Sequence, residues 1–193
     1  METGNEIYAQ YDNRTIRVYQ AYNPVIAQEA LRLQTFGTHF SLSRMTWIKP
    51  SFLWMMYRCG WCSKKDQEMT LALDIRREVF DELLRQAVLT HPADGMDGAA
   101  WRQKLDTSPV RVQWDPDRRP DGSPLGRRAI QMGVRDTAVT QMLGGIVRIE
   151  DMTPLVKKWD AKRRAGTLDR SELPRERLYP VTDPEICRNL VIR

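Results

Sequence analysis

The stretch Ser43–Trp61, SRMTWIKPSFLWMMYRCGW, constrains this chain more than any other, and it holds three of the six tryptophans. Met45–Lys49 alternates as a strand, with Met45, Trp47 and Lys49 on one face and Thr46 and Ile48 on the other. Pro50 then starts a helix. Phe52, Met55, Met56 and Cys59 fall on one apolar stripe, and Leu53, Trp54 and Tyr57 widen it, so the spacing predicts a helix apolar nearly all round and buried. Gly60 supplies the stop. Ser51, Trp54 and Arg58 lie along one side of this helix. An arginine beside a tryptophan on a buried helix needs a partner: a carboxylate or carbonyls inside the protein, or a bound phosphate or carboxylate.

The remaining chain alternates strands and helices. Residues 1–13 read as a flexible lead-in. Thr15–Tyr22 has strand periodicity and feeds a helix that Asn23 caps, with Pro24 in its first turn and Gly37 as its end. Met69–Ile75 is a strand and Arg76–Leu89 a helix. Residues 90–100 are rich in turn formers and mark a loop or a lobe boundary, with Trp101 on a short helix beyond it. Val110–Trp114 and Arg127–Val134 flank a long basic turn at 115–126 and predict a β-hairpin, with Gln113 and Gln131 as polar residues inside apolar strands. A helix at Asp136–Leu143, a strand at Ile146–Asp151, a helix from Thr153 and a terminal strand near Leu178–Val181 follow. This order predicts an α+β fold: one domain over residues 1–193, with a mixed or split β-sheet flanked by helices. A doubly wound nucleotide fold is disfavoured, because no glycine-rich turn follows the first strand.

Size and composition set bounds on function. At 193 residues one core suffices. The longest apolar run, Phe52–Tyr57, is far short of the ~20 residues that cross a bilayer, and the polar N-terminus has no apolar signal core, so the expected location is the cytoplasm, with no membrane partner. A net charge of +5 permits an anionic partner without demanding one. Cys59 and Cys62 have CxxC spacing, open to redox or zinc chemistry. There is no second CxxC and only two histidines, so reduced cysteines, one at a buried helix end, are the plainer reading and no metal is expected.

Walker, GxSxG, HExxH and kinase motifs are absent. His39 is the better of the two histidines for a nucleophilic triad, but no partner is assignable. What remains is a set of aromatics, cations and amides suited to a nucleotide ligand: Tyr19, Gln20, Tyr22, Arg44, Trp47, Lys49, Ser51, Trp54 and Arg58. Aromatic faces stack on bases, and arginine forks grip phosphates. Trp114, Arg118 and Arg119 of the hairpin are candidates for contacting nucleic acid. A tryptophan-rich core with structural arginines explains the same residue types.

The segments IRVYQAYNPVIAQEAL, TWIKPSFLWMMYR, VRVQWDPDR and RRAIQMGV together resemble a family of bacterial and fungal proteins described as a domain of unknown function, over Tyr8 to about Lys158. That resemblance implies a single domain and brings no activity. The layout is also similar to that of the ADP-ribosyltransferase superfamily, which implies NAD bound in the cleft of a split sheet and a late-strand glutamate stabilising an oxocarbenium-like transition state. Gln131 stands where that glutamate would be sought, and Glu150 is the nearest late glutamate; these two are the catalytic candidates the likeness implies. Transfer of an ADP-ribosyl group, with nucleic acid as an acceptor, is the activity expected on this basis. The rival expectation is a non-catalytic nucleic-acid-binding module with a basic hairpin and a basic helix.

Overall fold

In the computed structural model, which describes residues 4–92, 95 and 97–193, two larger β-sheets meet at a seam, and helices cover them. The first sheet has the order β2(Thr15–Tyr22)–β4(Met69–Arg76)–β8(Ile146–Asp151) and is antiparallel throughout. The second has the order β3(Thr46–Ile48)–β7(Pro124–Val134)–β6(Val110–Arg118)–β5(Ala87–Leu89), antiparallel except for the parallel β5–β6 pair. At the seam, the Tyr19 N–H donates to Lys49 O at 2.8 Å and the Lys49 N–H to Tyr19 O at 3.2 Å. The sheet is therefore split and mixed, within an α+β architecture, as its element order implies.

A two-stranded ribbon, β1(Tyr8–Ala9) with β9(Arg177–Leu178), ties the termini together. The expected flexible lead-in is in part this strand: Ile7 and Ala9 are buried because a partner from the far end of the chain covers them. The loop expected at 90–100 includes residues 93, 94 and 96, which lie outside the described residues.

Local chemistry sets the helix ends near the seam. In α1(Pro24–Leu33), Asn23 Oδ1 accepts from the Ile26 N–H at 3.0 Å, and Gln34 in the left-handed region ends the helix three residues before Gly37. In α2(Phe52–Cys59), Ser51 is the N-cap and Gly60 takes the left-handed stop at φ 59°. Further along, α3(Arg77–Arg85) is shorter than its apolar pattern suggests, since Ala87–Leu89 leaves it to become β5. Then come α4(Gly98–Thr107), α5(Thr137–Gly145), α6(Thr153–Arg164) and α7(Pro184–Leu190). Among the described residues, no helix is long and apolar enough to cross a membrane.

Two apolar clusters form the core. The larger joins the inner faces of both sheets, through Ile16, Val18, Leu73, Val112 and Met132, with α1, α3 and α5. The smaller surrounds α2: Tyr19, Phe52, Met56, Trp61 and Trp159 pack edge to face at centroid separations of 5.4–6.2 Å where rings meet. The helix predicted to be buried is thus a core element on one side only. Tyr57 and Arg58 are exposed.

Candidate functional site

Where the sheets part, a cleft of about 850 Å³ opens. The end of β2 contributes Gln20 and Tyr22, and β3 with the residues around it contributes Arg44, Trp47 and Lys49. Trp54 and Arg58 come from α2, and Gln113, Asp115 and Gln131 from the facing strands β6 and β7. Strand alternation puts Gln113 and Asp115 on one face of β6, and register sets Gln113 opposite Gln131. Asp115 is the centre of that group: its Oδ1 accepts from Gln113 Nε2 at 2.9 Å and its Oδ2 from Gln131 Nε2 at 2.7 Å.

A family model described as domain of unknown function (DUF4291) matches residues 6–179. The chain belongs to that family. The match contains every cleft residue and runs past the span suggested by the sequence blocks alone. None of the curated proteins compared with the chain matches it.

Within this DUF4291 chain, the cleft cations stand apart from other charged groups. Lys49 is 6% exposed, and among the described residues its ammonium has no hydrogen bond or ion pair. Burial pushes its pKa down to about 8; Arg58 pushes the same way, while Cys59 and Asp115 oppose. Arg44 and Arg58 are exposed at the rim, and neither is ion-paired among the described residues. Of the two kinds of partner open to Arg58, the internal carboxylate or carbonyl is absent among the described residues, because the helix turns that residue outward. Gln20, 2% exposed, donates from Nε2 to Thr46 Oγ1 at 2.7 Å, and Tyr22 Oη shares the same hydroxyl at 2.6 Å. This fixes the Gln20 amide and leaves its Oε1 without a partner. Trp54 Nε1 is likewise buried and unpartnered.

The aromatic candidates differ in what they can offer. Trp47 has a ring with no ring partner among the described residues, and it lies against Gly133, where a Cβ would approach it to 3.0 Å. One face of Trp54 is taken by Tyr57, stacked at 5.5 Å, and Arg118 sits 5.6 Å from its centroid. Tyr22 packs edge-on against Phe36 and Phe40, and burial pushes its hydroxyl well above the usual tyrosine range.

Six sequence candidates lie elsewhere. Tyr19 is fully buried against Phe52, its hydroxyl donating to Gln10 Oε1, because its side chain packs into the cluster around α2. Ser51 caps α2 and donates to Asp117 Oδ1 at 2.9 Å. Glu150 accepts from Arg17 at 2.9 Å, on the far side of the first sheet, and does not meet Gln131. Trp114 donates its indole N–H to Leu190 O and packs on the larger core cluster. Arg118 lies 3.9 Å from the Tyr57 ring centroid and bonds Gly122 O, and Arg119 bonds Pro124 O, so both serve the hairpin's own turn.

Asp115 is a cleft residue that sequence reasoning missed. Its signal was present: two positions after Gln113, it shares that residue's strand face if the strand continues. The prolines and glycine that follow argued for a turn. The strand runs on to Arg118 regardless. Pro116 is tolerated because β5 has already ended at Leu89, paired with Val112, which leaves that edge of β6 without a strand partner among the described residues.

Proposed function

We propose that the cleft binds an anionic nucleotide, that this nucleotide is NAD, and that the protein transfers its ADP-ribosyl group to an acceptor. The observation that carries this reading is the pairing of unneutralised cations with a braced carboxylate in one cleft at a sheet split. Lys49, Arg44 and Arg58 are placed to hold a diphosphate, which supplies the negative charge they lack. Trp47 offers the stacking face. The orphaned Gln20 Oε1 and Trp54 Nε1 add unmet acceptor and donor capacity beside it.

NAD supplies the glycosidic bond whose cleavage builds positive charge on the ribose. A fixed negative charge nearby lowers that barrier most when it is preorganised. Gln131 is neutral and cannot provide one. It holds Asp115, which can, and Gln113 braces the same carboxylate from the other side. The catalytic part expected of Gln131 and Glu150 thus falls to Asp115, with Gln113 and Gln131 as positioning residues. The hairpin arginines lend no support to a nucleic-acid module, since they are engaged in the turn itself. On α6, Lys162 pairs with Glu172, and Arg163 and Arg164 pair with Asp160.

Binding is testable by calorimetry with NAD and with ADP-ribose. Incubation with NAD plus RNA, DNA or the chain alone, followed by intact mass measurement, tests transfer. An ADP-ribosyl mass increment on one acceptor is the expected result. Binding without turnover or mass shift overturns the transferase reading; no binding of either ligand overturns the nucleotide reading.

A further inference from the structure

Neither cysteine of the CxxC pair lines the cleft, yet the fold builds the pair with care. Gly60, Trp61 and Cys62 lie in succession in the left-handed region, at φ 59°, 55° and 67°. For Trp61 and Cys62 this conformation is strained and persists only when surroundings impose it. Three backbone bonds do so: Trp61 N–H to Met56 O at 3.0 Å, Ser63 N–H to Gly60 O at 3.1 Å and Lys64 N–H to Cys59 O at 3.2 Å.

The turn folds Cys62 back over the end of α2. Both thiols reach one hydroxyl, Thr70 Oγ1, at 3.8 Å from Cys59 and 3.1 Å from Cys62. The two thiols act on each other electrostatically, which holds Cys59 below the usual thiol range and Cys62 above it. A metal reading has too few donors: among the described residues, no three of His, Cys, Asp and Glu group together. The third cysteine, Cys187, is on α7 and donates to Val181 O.

We propose that Cys59 and Cys62 form a reversible dithiol–disulfide site whose oxidant is a small hydroperoxide. Cys59 is fully buried and Cys62 is 8% exposed, which favours an oxidant of that size over a bulky disulfide. The Cys59 thiolate attacks the terminal peroxide oxygen, breaking the O–O bond to give a Cys59 sulfenic acid and, after proton uptake, an alcohol or water. The Cys62 sulfur then attacks the Cys59 sulfur, forming the S–S bond and expelling water, which carries away the Cys62 proton. In sum two thiols lose two hydrogens, and the peroxide is reduced by two electrons. A dithiol reductant reverses the change by exchange.

The test uses the native chain, hydrogen peroxide and an iodoacetamide quench. Trypsin cleaves after Arg58 and Lys64, so one peptide carries both cysteines. Expected is near-complete loss of both alkylation marks from this peptide and a mass lower by two hydrogens, both restored by dithiothreitol. In Cys62→Ser, dimedone is expected to trap the sulfenic acid on Cys59. A peptide that stays doubly alkylated in peroxide, or a disulfide that joins Cys187 instead, overturns the proposal. Dimedone failing to label Cys62→Ser overturns Cys59 as the attacking thiolate.

Discussion

Two clusters of charge lie on neighbouring sheets of this protein, and they are built in opposite ways. On the first sheet, Arg17 bonds Asp74 at 2.7 and 2.9 Å and Glu150 at 2.9 Å, so every charge has its complement and the arginine is held more strongly protonated than usual. In the cleft, Lys49 is buried more deeply than Arg17 and has no complement among the described residues, and Asp115 spends its hydrogen-bonding capacity on two glutamines. Both clusters look alike in sequence, as arginines, lysines and acids on strands. A closed cluster stabilises the fold. An open one is stable only at a cost, since an unpaired buried charge is unfavourable, and that cost is what a ligand of opposite charge relieves.

The sharpest test of this contrast is Asp115→Asn. If the carboxylate faces developing positive charge, transfer falls by about 100- to 1,000-fold while NAD affinity changes only a few-fold, measured by NAD turnover beside calorimetry. Equal losses in binding and turnover would assign Asp115 to ligand binding instead. Lys49→Met comes next, with nucleotide affinity expected to drop by about 10- to 100-fold and the melting temperature to hold or rise, since a charge-assisted hydrogen bond contributes about 1.5–3 kcal/mol. In the native protein the same ammonium makes anion affinity pH-dependent. It is charged below its pKa of about 8, so affinity is kept on the acid side and lost as pH rises through that value. The closed cluster is expected to behave in reverse: Asp74→Asn lowers stability by about 2 kcal/mol and leaves nucleotide affinity unchanged. A binding defect in Asp74→Asn would erase the distinction between the two clusters.

The smallest effect is expected at the start of α2. Glu176 Oε1 accepts from the Phe52 N–H at 2.5 Å, and burial, with Asp117 nearby, raises its pKa from 4.5 to about 8. Between those values the folded chain keeps a proton that the unfolded chain has released. Stability is therefore fully present below pH 4.5 and declines as pH rises towards 8. Glu176→Gln is expected to flatten this decline, with a melting-temperature difference of on the order of a few degrees at the alkaline end. An unchanged slope would mean that Glu176 is ionised in the folded protein.

The sequence reveals these features unevenly, for physical reasons. β2 has the bounds its alternation predicts, because burial on one face writes a period of two into the residues themselves; β8 has the expected bounds without such a period. The stop at Gly60 is equally local, whereas the helix expected to start at Pro50 starts at Phe52, after an N-cap at Ser51. Ala87–Leu89 was misread as helix because its apolar residues suit either element, and only pairing with Val110–Val112 decides. Part of the cleft is visible as residue types: Gln20, Tyr22, Arg44, Trp47, Lys49, Trp54, Arg58 and Gln131 all line it. What the string of letters could not carry was pairing. Nothing local distinguishes Glu150, which has an arginine, from Asp115, which faces the cleft, and nothing local says that Arg58 would point to solvent while Lys49 would not.

Lys49 occupies a double position. Its backbone makes both hydrogen bonds of the seam with Tyr19, while its side chain brings the ammonium to the cleft. Recognition and architecture are therefore mechanically coupled through one residue. A ligand that pins the ammonium stiffens the joint between the sheets, and the exchange rates of the Tyr19 and Lys49 amide protons become a gauge of occupancy at a distance from any catalytic atom.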